Sequence, residues 1–139
     1  MKSLALVEIE QEARNLAANT NWGESIGLIG PLGAGKTTFI RYFCAAKGCA
    51  LPVSSPSYVI QHEYECGFGK TIEHWDLYRL HGIPDELRLA APSNAIRLIE
   101  WVDKFPELVA ECGTIIKLGI VDSEHRSLEI GTALGGSPF

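Results

Sequence analysis

Basic residues are scarce relative to acids: 12 Lys and Arg stand against 17 Asp and Glu in 139 residues, a formal net charge of -5. That shortage excludes a free-standing nucleic-acid binder, which needs a basic footprint to neutralise phosphates. RNA handled through a partner stays open. No apolar run approaches the roughly 18 residues of a membrane helix, so no span is expected. The opening residues, Met1 to Glu8, carry too short an apolar part for a signal peptide and are followed by acids. Cysteine is sparse, at Cys44, Cys49, Cys66 and Cys112, with no C-x-x-C pair. A chain of this size needs no disulfide staple, so four reduced cytosolic thiols without a disulfide partner are expected. The four histidines, His62, His74, His81 and His125, show no metal-ligand spacing with cysteine and are expected to be packed or at the surface. There is no internal repeat, no low-complexity segment and no N-K-x-D string of the kind that reads a guanine base.

With 46% hydrophobic residues, the chain reads as one compact α/β domain over residues 1–139, with residues 133–139 a frayed tail. Ile9, Ala13, Leu16 and Ala17 recur at helical spacing and predict a helix over Glu8–Asn19. Ser25–Ile29 predicts a buried strand. Lys36–Lys47 predicts a helix with Phe39, Ile40, Phe43 and Cys44 on one face and Gly48 as its stop. Tyr58–Tyr64 and Thr71–Trp75 predict an antiparallel hairpin. Further strands are predicted at Ala95–Trp101, Thr114–Val121 and Arg126–Thr132, with a short helix at Asp85–Ala90 and a helical turn at Phe105–Leu108. One strand–loop–helix unit followed by antiparallel strands implies a mixed sheet flanked by helices.

Gly30-Pro31-Leu32-Gly33-Ala34-Gly35-Lys36-Thr37 matches G-x-x-x-x-G-K-[ST] in full, between a predicted strand and a predicted helix. Gly30, Gly33 and Gly35 let the backbone curl so that N–H groups, Ala34's among them, point inward at an anion. The helix start adds unpaired N–H groups and its positive dipole end. Lys36, at what reads as a solvent-facing junction, supplies a mobile charge for the β- and γ-phosphates. Thr37 is placed to ligate Mg²⁺, and Thr38 to bond the α-phosphate.

Such a loop needs an acid for the metal shell and a group that orients attacking water. Asp76 and Glu100, at the ends of predicted strands, both fit by position. Ser54-Ser55-Pro56-Ser57 reads as a Ser-Pro turn or as a loop that brings a hydroxyl near the γ-phosphate. Trp101 reads as core, the favoured reading on the residue alone, or as an exposed anchor at the nucleotide or partner surface.

Four segments together resemble the TsaE (YjeE) family, small bacterial P-loop ATPases of the tRNA threonylcarbamoyladenosine pathway. They are Gly30–Arg41 (GPLGAGKTTFIR), Val53–Tyr58 (VSSPSY), His74–Leu80 (HWDLYRL) and Ile99–Trp101 (IEW). Their order and spacing match the family from about residue 8 to residue 130. The resemblance implies a P-loop NTPase-like mixed sheet, ATP with Mg²⁺, and cytoplasmic partners TsaB and TsaD, through which tRNA is met indirectly. By matching position it implies that Lys36 and Thr37 hold phosphate and metal and that Asp76 is the metal-shell acid. It places Glu100 and Trp101 in the E-W element of the active site, with Glu100 also near the metal. Ser57 stands where the family usually has Thr. The alternatives are a nucleotide-dependent binding switch with negligible turnover and a small-molecule kinase. A kinase usually adds a lid and an Arg-rich insert, for which the chain has little room.

Overall fold

The computed structural model describes residues 2–49 and 60–132. The expectations placed on Val53–Tyr58, Ser57 included, and on the 133–139 tail lie outside the described residues. Seven strands form one sheet in the order β1-β7-β6-β2-β5-β4-β3. In chain order they are β1 (Lys2–Ala5), β2 (Ser25–Ile29), β3 (Gln61–Glu65), β4 (Thr71–Asp76), β5 (Ala95–Glu100), β6 (Thr114–Ile120) and β7 (His125–Gly131). The helices are α1 (Leu6–Asn19), α2 (Lys36–Ala46) and α3 (Pro106–Glu111), with 3-10 turns at Asp85–Arg88 and Val102–Lys104. The centre is parallel, with β2 beside both β5 and β6, and β4 beside β5. The flanks are antiparallel: β3 with β4, β6 with β7, and β1 with β7. The expected mixed α/β sheet is therefore present.

Period-two alternation gives the sheet two different faces. Ile26, Leu28, Ile72, Ile96, Leu98, Ile116 and Leu118 pack with Ile9, Ala13 and Ala17 of α1 and with Phe39, Ile40 and Phe43 of α2. Trp75, Ile99 and Ile115 pack on the other face with Leu87, Val102 and Leu108. The predicted apolar faces of α1 and α2 are the buried ones. Pro106 opens α3 at a position where a missing N–H is harmless. β2 approaches its neighbours closely: a Cβ on Gly27 would lie 2.6 Å from Val102 Cγ1 and 2.8 Å from Ile115 Cδ1.

The structure differs from the sequence reading in several elements. β1 was not predicted; with four residues it carries too little alternation, and its pairing with β7 defines it. The short helix after Pro84 is a 3-10 turn of four residues. The turn at Val102–Lys104 was not foreseen either. Lastly, Cys49 and Cys66 are joined in a disulfide, so the expectation of four free thiols is corrected. Gly48, in a left-handed conformation, turns the chain at the end of α2 and delivers Cys49 beside the end of β3. No local spacing signals a pairing made by that tertiary approach. Cys44 and Cys112 are free and buried, and burial pushes both thiols up to about 12.

Candidate functional site: a phosphate loop facing two strand-end carboxylates

Parallel pairing gathers the site. Asp76, the last residue of β4, is in register with Glu100, the last of β5, and Glu100 is in register with Leu28 of β2. The loop that leaves β2 therefore opens beside both acids, at the carboxyl ends of the strands where such sheets place their ligands. Gly33 and Gly35 have φ of +81° and +96°, conformations that L side chains rarely adopt. Gly30 is required for another reason than the expected curl. A Cβ there would run into the Leu118 carbonyl of β6. Gly35 leads directly into α2, whose first turn holds Lys36, Thr37 and Thr38 and presents unpaired N–H groups to the cavity.

Lys36 is not the solvent-facing side chain its junction suggested; it is 5% exposed. Its ammonium donates to the Gly30 carbonyl and more weakly, at 3.5 Å, to that of Pro31. It also sits 3.8 Å over the Trp101 ring, a cation–π contact. Burial lowers the Lys36 pKa, while the carboxylates of Glu100, Asp76 and Asp103 pull it back up. Trp101 has a φ of 61°, unusual for a bulky residue, and its ring packs against Tyr78 at a tilt of 42° with centroids 4.8 Å apart. The ring is thus a partly buried platform under Lys36.

Asp76 Oδ1 accepts a 2.9 Å bond from the Tyr78 N–H, and its other oxygen has no hydrogen-bond partner among the described residues. Burial raises the Asp76 pKa; the Tyr78 N–H lowers it, the Glu100 charge raises it, and His74 and Lys36 lower it. Glu100 is 3% exposed, and its Oε2 lies 2.6 Å from His74 Nε2. Both acids, Lys36, Thr37, Thr38, Ala34 and Trp101 line one cavity of about 740 Å³.

The structure thus brings together every described residue singled out from the sequence, save that Gly30 lies at the loop's base. Tyr78, Leu6, Ile9, Tyr42 and Arg126 also line it. Sequence reasoning missed these, because only the pairing of β1 with β7 carries Arg126 and the start of α1 to the loop. The His74–Glu100 contact had one signal, the spacing that puts His74 and Asp76 on the same strand face.

The donors at the acids are hard oxygens: one hydroxyl and two carboxylates. Such donors suit Mg²⁺, which is usually held by one or two carboxylates plus phosphate and water. No helix among the described residues is long and apolar enough to cross a membrane.

The family model "Threonylcarbamoyl adenosine biosynthesis protein TsaE" matches residues 5–129. The chain is 34% identical over 120 residues to tRNA threonylcarbamoyladenosine biosynthesis protein TsaE of Haemophilus influenzae, covering 83% of this chain and 74% of that one. To the protein of the same name from Bacillus subtilis it is 33% identical over 130 residues, covering 92% and 81%. The crystal structure of YdiB from Bacillus subtilis superposes with a TM-score of 0.70 at 25% identity, covering 96% of this chain and 87% of that one. With its phosphate loop, its strand-end acids and a family match across nearly the whole described fold, the chain belongs to the TsaE family.

Proposed function

We propose that the chain binds and hydrolyses ATP with Mg²⁺ as the ATPase of the tRNA threonylcarbamoyladenosine machinery, working in the cytoplasm with TsaB and TsaD. The observation that carries this is the convergence of Lys36, Asp76 and Glu100 on the cavity at the mouth of the phosphate loop. The names of the relatives supply the pathway. The acidic balance of the chain fits a role in which the partners supply the RNA-binding surface.

The N–H groups of the loop and of the first turn of α2 bind the phosphates. Thr38 reaches the α-phosphate side, and Lys36 exchanges its carbonyl partners for β- and γ-phosphate oxygens. Trp101 limits where that ammonium can travel. Thr37 and Asp76, with Glu100 alongside, hold the metal, which neutralises phosphate charge when bound. Glu100 orients the attacking water and accepts its proton. Ser57 senses the γ-phosphate, and the partners read its state. The test is ATP turnover by the full chain, alone and with TsaB–TsaD and tRNA. Stimulated turnover is expected; no ATP affinity and no turnover in either case overturns the reading.

A further inference from the structure

His74 is fully buried, at 0% exposure, yet it is no core filler. Its two ring nitrogens touch different groups: Nε2 lies 2.6 Å from Glu100 Oε2, and Nδ1 lies 3.2 Å from the Tyr64 hydroxyl. Tyr64 in turn lies 3.4 Å from His62 Nδ1. The chain of contacts thus runs from the cavity across β5, β4 and β3. An ionised carboxylate only accepts hydrogen bonds, so Nε2 must bring the hydrogen to Glu100. In a neutral ring Nδ1 is then an acceptor, and the Tyr64 hydroxyl lies within hydrogen-bond reach of it.

We propose that His74 is a positioning residue for the hydrolysis. Its Nε2–H holds Glu100 Oε2 so that Oε1, which has no hydrogen-bond partner among the described residues, is the oxygen offered to the cavity. Tyr64 fixes the ring in the tautomer that does this. This rests on the proposed role of Glu100. A glutamate at the end of a strand has three side-chain torsions to fix, and a displacement of about 1 Å at a reacting group can cost on the order of 10²-fold in rate. Burial of the ring between two partners removes that freedom without any proton having to move. A second-sphere hydrogen bond that sets tautomer and orientation together is a known way to hold a reactive group.

The first experiment needs no turnover. In the ¹⁵N-labelled full chain, two-bond ¹⁵N–¹H correlations of the imidazoles report which nitrogen of His74 carries hydrogen. A protonated Nε2 is expected; a bare Nε2 overturns the proposal. The second measures ATP turnover with TsaB–TsaD and tRNA, beside ADP affinity. His74→Leu is expected to lower kcat by roughly 10- to 100-fold while ADP affinity stays within about threefold. His74→Gln, which presents an amide N–H towards Glu100, is expected to recover most of kcat. Parallel losses of kcat and ADP affinity in both variants would reduce His74 to a structural residue and overturn the proposal. Should His74→Leu fail to fold, the Gln variant and the tautomer decide. A wild-type chain without turnover sinks the ATPase reading instead, and the tautomer still decides whether the hydrogen-bond chain exists.

Discussion

Strands β4 and β5 carry two buried glutamates, one on each face of the sheet, and their surroundings are opposite in kind. On the α3 face, Glu73 Oε1 accepts from Arg97 Nε at 3.0 Å and from Trp75 Nε1 at 2.9 Å. The guanidinium then donates to the Leu89 carbonyl at 2.6 Å and to the Glu86 carbonyl at 3.1 Å. That network ties the segment before β5 to the sheet. On the α2 face, Glu100 has one side-chain hydrogen bond among the described residues, to His74, and lines a cavity. The Glu73 carboxylate is held by a buried guanidinium that braces the fold, whereas the Glu100 carboxylate faces space that a ligand can enter. Period-two alternation lets the same two strands do both.

The contrast can be broken in several ways. Its largest expected effect is on the Glu73 side. Arg97→Leu leaves the Glu73 carboxylate buried and unpaired and should destabilise the fold by about 3–5 kcal/mol, read from urea unfolding. Nucleotide affinity of the remaining folded protein should be unchanged. A selective loss of affinity would mean that the two faces are coupled.

On the open side, Lys36→Ala should weaken ATP binding by about 2–3 kcal/mol, the worth of a charged hydrogen-bonding group, while far-UV dichroism shows the fold intact. Titration of nucleotide against both proteins checks it. The two acids should then separate. Glu100→Gln is expected to lower kcat by about 10²-fold and spare binding. Asp76→Asn is expected to weaken Mg²⁺-dependent binding by about tenfold and affect kcat less. Identical binding losses in both would merge the roles.

Ser57→Ala should have a smaller effect, blunting the preference of TsaB–TsaD for the ATP-analogue state over the ADP state more than it weakens ATP binding. Partner affinity in each nucleotide state measures it. The smallest change concerns the thiols. With their pKa values pushed up to about 12, Cys44 and Cys112 should resist alkylation in the native protein at pH 8, where only a trace of thiolate exists. Mild reduction should expose Cys49 and Cys66 alone to the reagent, as mass spectrometry would show.

Much of this arrangement was legible in the residue pattern. The phosphate loop is local, so its glycines, Lys36 and Thr37 could be placed between a strand and a helix from spacing alone. Asp76 and Glu100 were found because acids end two apolar strands. The register that sets them side by side is a property of parallel pairing, which no single strand encodes. Lys36 was misjudged because its burial comes from Trp101 across the sheet. The disulfide and β1 were missed for the same reason: each is a contact between segments far apart in the chain, with no periodicity of its own. His74 reads from the sequence as a packed or surface histidine; its spacing from Asp76 fixes its face but not its partner.

The Cys49–Cys66 link closes a covalent ring through the connection between α2 and β3. Cutting the backbone once between residues 50 and 59 therefore does not divide the molecule. The two fragments would still run as one species without reductant and part only when the sulfurs are reduced.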